Sequence, residues 1–290
     1  MSFITTIGVK TRALAIGLLV AAFLAAGLGA GRADAMTPAQ TTEDGVVNLL
    51  GGFAPGSAAG SIDDFWARTL PTWGFNSYTT PTIKYYGNGA GGYYTGGCGS
   101  TGDYAGENGL YCIRDNTIYL DADGQQGLLN RLGDHAAGGF LAHEWAHRAQ
   151  AVIGTLTDGF HDYHQEYNAD CMAGLYTRYG YDTGRLDGTD FGEFRNWLSG
   201  QPTSVSHGTG ANRASWFEYG YTQYTKGACD QVFNLTESGG EGSRTAKMAT
   251  AESLRPPAHS APDLTPRRTD ALPPGAPSVQ HHDASRPAVV

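Results

Sequence analysis

Aromatic residues decide where this chain can build a core. No Phe, Trp or Tyr occurs from Thr236 to Val290, whereas 8 of the 13 prolines do. A segment without large apolar side chains cannot offset the entropy of ordering itself, so residues 236–290 are expected to form a disordered, Pro-rich tail. At the other end Lys10 and Arg12 precede an apolar, Gly-dotted stretch from Ala13 to about Gly31, followed by Ala33-Asp34-Ala35. A basic start, an apolar run and a small-x-small site are the pattern of a secretory signal peptide, here residues 1–35. An uncleaved anchor is the alternative, because an apolar run of about 19 residues is near the lower limit for a span. Membrane contact is expected only in that case. The fold is therefore assigned to one domain over residues 36–235, and an exported protein is expected.

Charge narrows the partners. The chain has 28 acids against 19 bases, a net charge of −9. Setting aside Lys10, Arg12, Arg32 and Asp34, and the six acids and six bases of the tail, leaves 21 acids and 10 bases in the domain. Those ten Lys and Arg are scattered singly, and a phosphate-binding groove needs them clustered, so no nucleic-acid partner is expected.

The four cysteines, Cys98, Cys112, Cys171 and Cys229, all lie in the domain. An even number behind an export signal argues for two disulfides, with three pairings open. Neither Cys98/Cys112 nor Cys171/Cys229 has the C-x-x-C spacing of a redox or zinc-knuckle site.

Local patterns suggest the elements. Ser61-Ile62-Asp63-Asp64 is a helix start, with Phe65, Trp66 and Leu70 on one face and Pro71 expected to end it. Residues 81–86 and 116–121 alternate like short strands. Between them ten glycines run from Gly87 to Gly109 without a Lys or Arg, which suits a disulfide-stapled surface loop and not a phosphate cradle. Asp121-Ala122-Asp123-Gly124 resembles part of a calcium loop, but the twelfth position is Leu132, so a simple turn is expected. Helical patterns follow over about 134–153, 164–179, 191–198 and 209–219. Few strands followed by several helices predict an α+β fold, helix-rich with a small β-sheet.

The helical pattern over 134–153 carries His143-Glu144-Trp145-Ala146-His147. Histidines four apart project from one helix face, so two imidazoles can converge on one Zn²⁺. Glu144 flanks that face and can take a proton from water activated by the metal. A chain with 9 His meets this pentapeptide by chance only roughly once in a hundred. A catalytic zinc needs a third protein ligand and an open position. The metzincin continuation fails, because Gln150 and Ile153 stand where Gly and His are required. Glu166 and Asp170, again four apart on the next predicted helix, supply a candidate ligand and a candidate acceptor for a ligand histidine's N–H. Gly154-Thr155-Leu156-Thr157-Asp158 is similar to a segment of aspzincins and offers Asp158 as a competing ligand. His161 and His164 lie nearby and are read as solvated or supporting residues.

The segments Leu110-Tyr111-Cys112, residues 117–121, residues 143–150, residues 166–174 and residues 206–213 resemble, in that order, the neutral zinc metallopeptidase family of bacteria. The resemblance covers Leu110 to about Cys229, and residues before about Ile83 are not well covered by it. It implies a zincin-like fold of the gluzincin type and one Zn²⁺ per chain. It implies His143, His147 and Glu166 as ligands, Glu144 as base, Asp170 in support, and a Cys171–Cys229 disulfide. Ala146 and Arg148 depart from the family's usual Gly and His without touching that set. His207 precedes a predicted helix and is a candidate donor to the oxyanion formed on a peptide carbonyl; the alternative is a helix-start residue packed on the site wall. Arg213 is expected to form a structural ion pair. The strand around Ile118 to Leu120 is expected to hold a peptide or protein substrate by edge pairing. A secreted zinc endopeptidase is the expected function. The alternative, a non-catalytic zinc-stabilised binding or scaffold protein of the cell envelope, would have no need of Glu144.

Overall fold

The computed structural model describes residues 60–156 and 162–234, together with Pro256. The leader, the tail apart from Pro256, Asp158 and His161 lie outside the described residues. None of the helices described is long and apolar enough to cross a membrane.

Helix α1 (Ile62–Thr72) starts at Ser61, whose Oγ accepts the Asp64 N–H at 3.0 Å. Phe65, Trp66 and Leu70 are fully buried along one face. Pro71 does not end the helix but sits in its last turn, and because it has no N–H the helix forgoes one backbone bond, that to the carbonyl four residues back. Asp64 is buried yet satisfied, accepting from the Tyr179 hydroxyl at 2.6 Å and from Arg68.

Strand β1 (Thr82–Tyr86) leads into the Gly-rich segment, which forms a short ribbon of β2 (Thr95–Gly96) and β3 (Gly99–Ser100). The chain returns as β4 (Gly109–Cys112) and β5 (Thr117–Asp121). The main sheet has the order β1-β5-β4, with β1 parallel and β4 antiparallel to β5. This corrects the expected substrate strand. All five residues of β5 are buried and both its edges are paired, so an edge is offered by β4. The Cys98–Cys112 disulfide ties the ribbon to the end of β4.

Asp121 begins helix α2 (Ala122–Leu132) where a simple turn was expected; its Oδ1 accepts the N–H groups of Asp123 and Gly124 at 3.0 and 3.1 Å. An N-cap and an Asx turn use the same side-chain chemistry, and only the following residues separate them. Gly133, at φ 115°, then redirects the chain into α3 (Asp134–Ile153). Small residues let α3 run through the centre. A Cβ on Gly139 would collide with the Phe194 ring, and Trp145, Leu141 and Ala142 have no exposed surface.

Four more helices follow: α4 (Asp162–Asp182) and α5 (Asp190–Ser199) pack against α3, and α6 (Gly210–Gln223) and α7 (Lys226–Asn234) pack against α4. Helix α4 passes through Gly180, where a stop was expected, and ends at Asp182; the Leu186 side chain packs closely on that glycine. Helices α4 and α6 meet backbone to backbone at Gly174 and Gly220. The Cys171–Cys229 disulfide joins α4 to α7. The result is α+β, seven helices on a small mixed sheet among the described residues.

Candidate metal centre

Helices α3 and α4 lie side by side, and each turns one i, i+4 pair toward the other. His143 and His147 come from α3, Glu166 and Asp170 from α4. His143 Nε2 is 3.1 Å from Glu166 Oε2, and His147 Nε2 is 3.3 Å from Glu166 Oε1. Metal bonds of about 2.0–2.1 Å in a tetrahedron hold their donors about 3.3 Å apart, so the spacing suits zinc. One donor atom from each of the three lies within 4.8 Å of the others. Glu166 Oε2 is closed to solvent and makes no well-aligned hydrogen bond. Two imidazoles and a carboxylate are a donor set that catalytic zinc accepts, leaving a fourth position open. These residues fit the metal.

Behind the donors stands an ionic chain. Asp170 Oδ1 is 2.9 Å from His143 Nδ1, an ion-pair contact without ideal hydrogen-bond alignment. Arg213 on α6 grips the same carboxylate with two bonds, Nε to Oδ2 at 2.8 Å and Nη2 to Oδ1 at 3.0 Å. Asp170 is fully buried, and burial alone would raise its carboxyl; the Arg213 and His143 charges overcome that and hold it below the usual carboxylate range. Burial would likewise depress the His143 imidazolium, but Asp170 and Glu166 push it up to about 10. Glu166 is held well below its ordinary value, because His147 and His143 outweigh its burial. Carboxylates and imidazoles so placed form a cation-seeking cluster.

Glu144 lies at the floor of an open cleft of about 860 Å³. Burial raises its carboxyl above the ordinary value; the two histidines and a backbone hydrogen bond from Tyr111 pull the other way. That bond sets β4 directly beside the carboxylate. Phe140 stacks on His143, and Trp197 packs edge-on against Phe140 with centroids 5.5 Å apart. Leu110, Phe140 and Trp197 give one side of the cleft an apolar wall.

His207 lies on the turn before α6 and is half-exposed at the cleft rim. Its Nε2 is 3.8 Å from Glu166 Oε2, and its Nδ1 is 2.8 Å from Ser206 Oγ. His164 stacks on Tyr163 and stands outside the donor cluster. Sequence reasoning passed over Gln150, whose Oε1 is 2.8 Å from His147 Nδ1. Its signal was present: three residues after His147 on one helix is a neighbouring position, and an amide is polar where the core is apolar. A second group, Asp134, Asp190 and Glu193, gathers three carboxylates near the start of α3.

Residues 53–232 match the family model described as "Putative neutral zinc metallopeptidase", so the match begins well before Leu110, where the segments that suggested it start, and takes in the residues before Ile83. The uncharacterized protein YpfJ of Escherichia coli (strain K12) is 26% identical over 201 residues, 59% of this chain and 67% of its own. The uncharacterized protein Rv2575 of Mycobacterium tuberculosis (strain H37Rv) is 25% identical over 217 residues, 62% of this chain and 69% of its own. No solved structure matches the chain.

Proposed function

The chain belongs to the neutral zinc metallopeptidase family, and from that membership we propose that it is an extracytoplasmic zinc-dependent endopeptidase. The observation that carries this reading is the placement of Glu144 beside three donors whose spacing suits a tetrahedral ion, at the floor of an open cleft. His143, His147 and Glu166 would hold the ion. Bound zinc supplies Lewis acidity toward water and the scissile carbonyl. Glu144, desolvated and raised, takes the proton of the attacking water and passes it to the departing amine nitrogen. His207 donates from Nε2 to the developing oxyanion, with the Ser206 hydroxyl donating to Nδ1 so that Nε2 carries the hydrogen. A substrate peptide pairs with β4, a terminal strand of the sheet and the one that runs past Glu144. The two disulfides support an oxidising, extracytoplasmic setting.

A purely structural zinc site has no use for a buried carboxylate next to its ligands, which speaks against a scaffold without turnover. The test is cleavage of a peptide library by zinc-loaded protein, with and without a chelator. Glu144→Gln should retain zinc and lose at least about a hundredfold in kcat. Full activity in that variant refutes the assignment.

A further inference from the structure

Gln150 lies almost one turn beyond His147 on α3 and has no exposed surface. Its Nε2 donates to the Gln165 carbonyl oxygen at 2.7 Å and to Asn168 Oδ1 at 2.8 Å. Asn168, equally buried, donates from Nδ2 to the Cys229 carbonyl oxygen at 2.9 Å. A backbone carbonyl can only accept, so each amide has one permitted orientation. The NH₂ of Asn168 faces Cys229 and its oxygen faces Gln150. The NH₂ of Gln150 faces Gln165 and Asn168, which leaves its oxygen toward His147. That oxygen stands 2.8 Å from His147 Nδ1 and requires a hydrogen there. A neutral imidazole with its hydrogen on Nδ1 carries its lone pair on Nε2, the atom that faces Glu166.

We propose that Gln150 and Asn168 are positioning residues, a two-amide relay anchored on the carbonyls of Gln165 and Cys229 that fixes the tautomer and ring plane of His147 so that Nε2 meets the metal. The inference rests on the zinc reading above. It divides the labour between the two ligand histidines: a carboxylate, Asp170, backs His143, whereas a neutral amide backs His147. An amide is required at position 150 because the side chain must accept from the ring and donate to two oxygens at once. A carboxylate there would confront the Gln165 carbonyl and Asn168 Oδ1 without a hydrogen. The far end of the relay is not free to drift either, since Cys229 is joined by its disulfide to Cys171, three residues after Asn168 on α4.

The test uses the full chain and two readings. Zinc release into a competing chelator should be 10–100-fold faster in Gln150→Met, which keeps the volume and removes the polar groups, by the usual effect of losing a ligand's outer partner, about that size. Gln126→Ala, a partly exposed glutamine on α2 far in sequence from the donors, should release zinc as the parent does. The second reading is the Nδ1–H proton of His147, followed by ¹H–¹⁵N correlation in histidine-labelled protein. It should be protected from solvent exchange in the parent and exchange rapidly in Gln150→Met. Asn168→Ala, which leaves the Gln150 amide with one anchor, should fall between the two and decides the matter if Gln150→Met does not fold. Zinc release within twofold of the parent, or an equally protected ring proton, overturns the relay. Failure of the parent to bind zinc would instead refute the function proposed above, and the ring proton, readable without metal, would still decide the role of Gln150.

Discussion

Substituting Gly220 by Ala tests whether close contact between α4 and α6 is what aligns the site. A Cβ built on Gly220 would overlap the Cys171 carbonyl oxygen and lie 2.7 Å from its carbonyl carbon. Ordinary carbon contacts begin near 3.5 Å, so the helices must separate by about 1 Å at this crossing. Backbone atoms cannot rotate out of the way as a side-chain tip can. Overpacking of this kind costs about 1–3 kcal/mol, occasionally more, against a gain of about 1 kcal/mol from replacing glycine inside a helix. The net loss is then up to about 2 kcal/mol, which lowers the melting temperature of a domain this size by up to about 4–8 °C. The same displacement pulls Arg213 on α6 from Asp170 on α4, whose bonds at 2.8 and 3.0 Å have no slack. Gly192→Ala is the matched control, because a Cβ on that α5 glycine meets nothing within 4 Å. Thermal unfolding by circular dichroism should show Gly192→Ala unchanged or slightly stabilised and Gly220→Ala clearly destabilised, with faster zinc loss. Equal melting temperatures in the two variants would refute the argument.

Other expectations follow from individual contacts. Arg213→Met strands the buried Asp170 carboxylate and should cost about 3–5 kcal/mol in denaturant unfolding, with part of the loss recovered in Arg213→Met/Asp170→Asn; a loss below 1 kcal/mol would contradict the ion-pair account. Burial, with Asp134 and Asp190 nearby, pushes the Glu193 carboxyl up to about 7. The folded state then holds a proton that the unfolded chain has lost, so stability falls as pH rises from about 4.5 through 7. His135, depressed to about 4 by burial, contributes in the opposite direction below pH 6.5. His135 is present in both proteins, so comparing Glu193→Gln with the parent isolates the carboxyl. The two should melt together at or below about pH 4.5, and the variant should melt higher at pH 7 and above; parallel curves would be evidence against the cluster. His207→Ala should lower kcat more than it raises KM, and unchanged hydrolysis would remove His207 from the mechanism.

What could be read from sequence is what a helix decides within a turn or two. Residues four apart share a face, so His143 with His147, and Glu166 with Asp170, announce two facing pairs before any tertiary contact is known. Caps are equally local, which is why Ser61 marks a helix start correctly, and why Asp121 could signal a cap or a turn with the same atoms. Sheet order is not local. Alternation over residues 117–121 identifies a strand but not its neighbours; β5 is central and buried, and the edge beside the site belongs to β4. Nor can spacing pair four cysteines; the fold brings Cys98 to Cys112 and Cys171 to Cys229.

The sequence by itself determined which residue types could meet a metal and on which helices they sit, because backbone periodicity requires no partner. Tertiary structure alone decided what stands behind them: Arg213 on Asp170 from 43 residues away, and Gln150 on His147 with its amide oriented by carbonyls of Gln165 and Cys229. The physical reason is that burial turns an ordinary amide or guanidinium into a fixed one. In water Gln150 could rotate and trade partners, whereas in a closed core each donor must find its acceptor, and a single arrangement satisfies them all.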